Sequence, residues 1–88
     1  MSSLLQDAAR RAERYLQSLS ERRVAPAADA VEQIENFDEE LPADGHSAES
    51  TIAMLDEIGS PASMAMAGPR FFGFVIGGSL PVTVASNW

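Results

Sequence analysis

The sequence predicts a mainly α chain: two or three amphipathic helices followed by an extended apolar tail. Three observations lead there. Apolar residues recur at three- and four-residue intervals near the N-terminus and again around residues 48–58. Capping and breaking residues bracket those stretches at Ser3, Pro26, Asp29, Pro42, Ser47 and Gly59. After Arg70 charged residues vanish, and glycines interrupt a dense apolar run.

The first helix is expected over Leu4 to Arg23. Ser3 and Gln6 have capping-box spacing. Leu5, Ala8, Ala12, Tyr15, Leu16 and Leu19 form one stripe. Asp7 stands four residues before Arg11, the favourable order for an ion pair. Arg22 and Arg23 fall in the expected last turn, where cations suit the helix dipole, and Pro26 closes the segment.

A second, short helix is expected from an Asp29 cap, with Val31, Ile34 and Phe37 or Leu41 on its apolar edge. Glu35, Asp38, Glu39 and Glu40 crowd its C-terminal end, the wrong sign for the dipole. Pro42 to Gly45 reads as a turn. The third helix should start near Ser47 or Ala48, line one face with Ala48, Ile52, Leu55 and Ile58, and stop at Gly59. Ser60-Pro61 then reads as a new helix start running through Met64 and Met66 to Gly68-Pro69.

Phe71, Phe72, Phe74, Val75 and Ile76 are strand-forming residues, and Gly77-Gly78 marks a bend. Ser79 and Pro81 look like the start of a last helix, with Val82, Val84, Ala85 and Trp88 on its buried face. That helix reads as interrupted at Trp88. These helices present more apolar faces than so few elements can cover, so some should meet another copy of the chain or the rest of a longer protein.

A chain of 88 residues buries only about two thirds of its unfolded surface and is marginal alone. It has no cysteine, so disulfides cannot help; this fits a cytoplasmic location. His46 is the single histidine, which argues against zinc. The net charge of -7 is segregated: +2 over residues 1–24, -10 over 25–60 and +1 over 61–88. Such a chain repels phosphate backbones, which argues against nucleic acid as a partner. Arg10, Arg11 and Arg14 can pair with the acidic middle, but a solvated helix face is the preferred reading because surface pairs contribute little. No signal peptide is visible, and the uncharged end is too short and broken to span a membrane.

Candidate chemistry is sparse. All six basic residues are arginine, so no lysine side chain can form a Schiff base. His46 has no nucleophile or second ligand nearby and reads as a surface histidine. Asp38, Glu39, Glu40 and Asp44 lack the spacing of a calcium loop. Ser47 and Ser60 are explained by capping, and Met54, Met64 and Met66 by adaptable packing. Gly77-Gly78-Ser79 has the placement of a phosphate loop without its glycine pattern or lysine.

The stretch Gly68-Pro69-Arg70-Phe71-Phe72-Gly73-Phe74-Val75-Ile76-Gly77-Gly78-Ser79-Leu80-Pro81 resembles the N-terminal region of the pyridoxal-phosphate-dependent group II decarboxylases, the family of aromatic-amino-acid and glutamate decarboxylases. The family carries a Pro-x-Phe-Phe segment, a small-residue loop and a Pro-initiated helix ending in residues like Ala85-Ser86-Asn87-Trp88. The resemblance implies a fold-type I lyase working as a homodimer on an amino acid. On that pattern residues 1–67 are a helical N-terminal arm, self-associating or arm-swapped. Residues 68–88 are a Phe/Gly-rich segment opening the decarboxylase domain. It further implies that Phe74, Val75, Ile76, Gly77 and Gly78 approach the substrate. The cofactor lysine, its pyridine-nitrogen acid and the ring-stacking histidine would lie outside residues 1–88, so these residues alone would bind no cofactor. The competing reading is a small acidic helical interaction module, complete as it stands, using its Met and Phe patch. A stand-alone enzyme is disfavoured, because no nucleophile, base and orienting group come together.

Overall fold

The computed structural model describes residues 2–74 and 76–88, and among these the chain is mainly helical with no strand. Helix α1 spans Ser2–Ser18, α2 Ala28–Glu32, α3 Ala48–Met54 and α4 Pro81–Asn87. A tight 3-10 turn, Gln33–Phe37, extends α2, and a wide π turn, Leu55–Gly59, extends α3.

Helix α1 starts earlier and stops sooner than its periodicity predicts. Ser3 lies inside the first turn, so it is not the expected cap. At the other end the Ser18 hydroxyl donates to the Tyr15 carbonyl at 2.7 Å. The N–H groups of Glu21 and Arg22 then both turn onto the Ser18 carbonyl, at 3.1 and 2.8 Å. Such local bonds compete with helix continuation. Arg22 and Arg23 therefore stand beyond the helix, not in its last turn.

Helix α2 is short, as its charge pattern predicts, but Ala27 occupies the cap position and Asp29 sits in the first turn. The Pro42–Gly45 turn closes through the Gly45 N–H and the Pro42 carbonyl at 3.3 Å. Ser47 caps α3 by accepting from the Ser50 N–H at 3.1 Å. The π turn departs from the regular helical register. Leu55, expected on the apolar face, is more than half exposed, while Ile52 and Ile58 stay half-buried. Ser60-Pro61 opens only a turn, with the Ser63 N–H and hydroxyl both on the Ser60 carbonyl. Phe71 and Phe72 have no regular structure and Gly73 and Phe74 turn the chain, so these strand-forming residues make no strand, and among the described residues no other strand offers them a ladder. Thr83 closes the start of α4: its hydroxyl accepts from the Leu80 N–H at 3.2 Å and donates to the Leu80 carbonyl at 2.8 Å.

The core is small. Leu19, Ala65 and Phe71 are its buried apolar residues among those described. It lies where the chain leaving α1 meets the turns around Ala65, joined by the Ala65 N–H and the Val24 carbonyl at 3.0 Å. Gly68 permits this closeness. A Cβ there would lie 3.2 Å from the Ala65 carbonyl oxygen and 3.3 Å from that of Leu19.

The fold is also open. Its accessible surface is 6810 Å², whereas a folded chain of this mass exposes about 5000 Å². Its radius of gyration is 14.8 Å, against about 12 Å for a compact domain of this length. Phe72 is 93% exposed and Trp88 63%.

Gly68→Ala should destabilise the chain by about 1–3 kcal/mol, because the methyl meets backbone on two sides. A Cβ at Gly77 would stand in open space, so Gly77→Ala should be neutral or gain about 0.4–1 kcal/mol by restricting the unfolded chain. Urea melts followed by far-UV circular dichroism check both, and equal effects would contradict the packing described.

Candidate functional site

Three places collect side chains that could act on something else: an ionic clasp on one side of α1, an apolar groove on another, and the aromatic loop before α4.

The clasp centres on Arg11. Its Nε donates to Asp7 Oδ2 at 3.0 Å within α1. Its Nη1 donates to Asp56 Oδ2 at 2.8 Å across to the π turn, with Glu57 Oε1 at 3.7 Å. Arg14 approaches the same Asp56 oxygen at 3.6 Å, and Arg10 approaches Asp7 at 3.7 Å. Bonding to Asp56 and then to Asp7 makes Arg11 hold its proton more firmly than a free guanidinium does. The preferred reading of these arginines as a solvated face is therefore corrected for Arg11, while Arg10 and Arg14 stay exposed. Arg11 is 84% covered as a side chain with 16% exposed, and it bridges two elements. Asp7–Arg11 forms as its spacing predicts, but Asp56 had no local signal, since its partner lies 45 positions away.

A second arginine works beside the first. The Arg22 guanidinium lies 5.0 Å from the centre of the Tyr15 ring. It donates to the Ser60 hydroxyl at 3.1 Å and also to the Ser60 carbonyl. Arg70 in turn donates to the Arg22 carbonyl. Clasp and core thus tie α1 to both later halves of the chain.

The aromatic loop is built on Phe71. Its buried ring folds back over the backbone at Gly73, where a Cβ would fall 2.9 Å from the ring edge. Phe74 follows at φ 57°, a left-handed geometry uncommon for a bulky residue. Its ring stacks on Phe71, with centroids 6.4 Å apart and planes at 21°. Phe74 remains 85% exposed. Ile76, Gly77 and Gly78 are exposed as well, and Val75 lies outside the described residues. None of Phe74, Ile76, Gly77 and Gly78 lines the apolar groove on α1, the cleft beside Arg10 and Arg14, or the one between Pro26 and Pro61.

The apolar groove lies elsewhere, between α1 and α4. Ala9, Ala12 and Leu16 form one wall, and Val84, Ala85 and Trp88 the other. Glu13 is the charged residue that lines it. Of the expected buried face of α4, Val84 is half-buried while Val82, Ala85 and Trp88 stay exposed.

The remaining candidates stay apart. His46 Nε2 lies 2.9 Å from Glu39 Oε1, both partly exposed. Among the described residues no group of three or more His, Asp or Glu side chains could hold a metal ion. Among the described residues no helix is long and apolar enough to cross a membrane. The chain's residues do not fit pyridoxal phosphate by themselves. There is no lysine for its aldehyde, and Arg11 and Arg22 are engaged with the fold.

Comparison of the chain with protein-family models, curated proteins and solved structures finds no match to any of them.

Replacing Arg11 by Gln should lower the melting temperature more than replacing the exposed Arg10 by Gln. A double-mutant cycle of Arg11→Gln with Asp56→Asn should return a clear coupling energy. Strict additivity of those two changes would remove the clasp as a structural element.

Proposed function

We propose that this chain is the N-terminal helical segment of a pyridoxal-phosphate-dependent amino-acid decarboxylase-like protein, where it contributes dimer contacts and part of the substrate pocket wall. The observation that carries the reading is the pattern from Gly68 to Pro81, with its Pro-x-Phe-Phe segment, glycine bend and Pro-initiated helix. The outward presentation of Phe74, Ile76, Gly77 and Gly78 supports it, since residues that complete a pocket with another element must be free to face it. Pyridoxal phosphate, held by groups outside these residues, would supply the electron sink for loss of carbon dioxide. The role of this chain is to position walls and join subunits, and the lysine comes from outside these 88 residues.

The exposure of Met64, Met66, Phe72 and Phe74 beside a tethered helical body favours one second reading, an acidic module that binds a partner protein through that patch.

The coding region downstream of residue 88 separates the two. The decarboxylase reading requires a Ser- or His-x-Lys segment in the continuing frame or in an adjacent gene whose product co-purifies with this chain. Absence of such a segment in both places sinks it. The isolated chain mixed with pyridoxal phosphate and reduced with borohydride should carry pyridoxyl at its N-terminal amine alone. A stable adduct elsewhere would contradict the division of labour proposed.

A further inference from the structure

A further surface lies apart from the clasp, the groove and the aromatic loop, along α2 and the 3-10 turn that extends it. From Val31 onward residue types repeat at every third position. Side chains three apart line up along a 3-10 turn and stay neighbours across the last turn of an α-helix. Val31, Ile34 and Phe37 make an apolar row, and Glu32, Glu35 and Asp38 make an acidic row beside it. Gln33 and Asn36 form a third row, where the Asn36 side chain donates to Gln33 Oε1 at 2.6 Å. The Asp38 N–H donates to the Glu35 carbonyl at 2.9 Å, so the same spacing carries on to Asp38.

The apolar row is covered at one end. Phe37 is half-buried, and a Cβ at Gly59 of the π turn would stand 3.8 Å from its ring tip. That contact pins the row to the body. Val31 and Ile34 continue it into solvent, 46% and 44% exposed, and Leu41, just past the acids, is 96% exposed. Glu32, Glu35 and Asp38 are exposed too, and among the described residues none of them has an ion-pair partner. We infer that this surface docks a basic amphipathic helix of another protein. The apolar side of that helix packs on Val31, Ile34 and Leu41, and its arginines or lysines lie over Glu32, Glu35 and Asp38. The decarboxylase reading plays no part in this.

Charge selects this occupant. Residues 25–60 carry ten acids and no base. The arginines outside that stretch are engaged elsewhere: Arg10 beside Asp7, Arg11 and Arg14 at Asp56, Arg22 on Ser60, and Arg70 on the Arg22 carbonyl. Arg23 shares its cleft with Asp29, at the start of α2. Countercharge for the acidic row therefore arrives on a partner. An acidic partner is repelled, and an uncharged apolar one leaves three carboxylates unpaired at the edge of the contact. A small polar cation pairs with the acids but leaves Leu41 in water.

Shape selects a helix. An amphipathic helix carries one apolar stripe with charged rows alongside, the counterpart of an apolar row beside an acidic one. The exposed carboxylates also suit a partner that comes and goes. They steer a basic helix in and are rehydrated when it leaves, whereas a permanent cover within one fold would hold them out of water.

A dye-labelled leucine–lysine peptide patterned as an amphipathic helix, titrated with the full chain and followed by fluorescence anisotropy, tests this. The expected result is saturable one-to-one binding that weakens as salt is raised. A peptide of the same composition with its leucines scattered round the helix should bind about tenfold more weakly or worse. Ile34→Ser and Leu41→Ser should each weaken binding about tenfold. Their circular dichroism should stay unchanged, because both side chains are exposed. Glu32→Gln, Glu35→Gln and Asp38→Asn made together should weaken binding and flatten its salt dependence. Glu21→Gln, Asp44→Asn and Glu49→Gln made together remove the same charge elsewhere and should change affinity by less than about twofold. Phe72→Ser should leave binding intact. Absence of saturable binding overturns the inference, as does equal binding of the scattered peptide. Equal effects of the two charge sets, parental affinity in both serine variants of the row, or loss of binding with Phe72→Ser overturn it as well. Self-association of the chain alone that Ile34→Ser abolishes would put a second copy on the row, and that too would overturn it.

Discussion

The Arg11 guanidinium sits between α1 and the π turn after α3, and the relation of those two elements depends on it. Neither element brings a fully buried side chain to their junction, since the buried residues lie at the far end of α1 and in the later turns. Asp7 holds the guanidinium from its own helix and Asp56 receives it from the other. This is the local form of a chain-wide charge division, with a basic first segment facing an acidic middle. A shared guanidinium with several acceptors also has better geometry than a lone surface pair, and its coverage reduces competition from water.

Given that anchor, the rest of the packing follows from a shortage of large apolar groups. Ala8, Ala9 and Ala12 leave little to interdigitate, so the tight packing is confined to Leu19, Ala65 and Phe71. Arg22 substitutes for further apolar contact by stacking on Tyr15 and closing on Ser60. The remaining helix, α4, meets α1 without filling the space between them. Openness, exposed aromatics and the unfilled groove therefore share one origin. The fold spends its few large side chains at one end.

The aromatic loop fits the same economy. Phe71 is the residue that ties it down, and Gly73 makes room for that ring. Among the described residues Phe74 then stacks on Phe71 and is otherwise exposed. In the proposed reading that outward face is where another part of an enzyme would meet it. The chemistry of such an enzyme would belong to groups this chain does not contain, and its own contribution would be shape.

The sequence determined by itself the features governed by neighbours in the chain: the helical class, the Ser47 cap, the Pro42–Gly45 turn, the Pro81 start and the Asp7–Arg11 pair. Each depends on residues within a few positions, where helix geometry fixes who meets whom. The end of α1 at Ser18 was not legible, because its apolar stripe continues to Leu19 and only the following turn carries Arg22 to Ser60. Phe71, Phe72 and Phe74 have strand propensity but form no strand, since β propensity needs a neighbouring strand to act on. Tertiary structure alone decided that Asp56 would receive Arg11, that a π turn would leave Leu55 outside, and that α1 and α4 would face each other across an open groove. Those outcomes depend on residues tens of positions apart, and no spacing rule along the chain measures such distances.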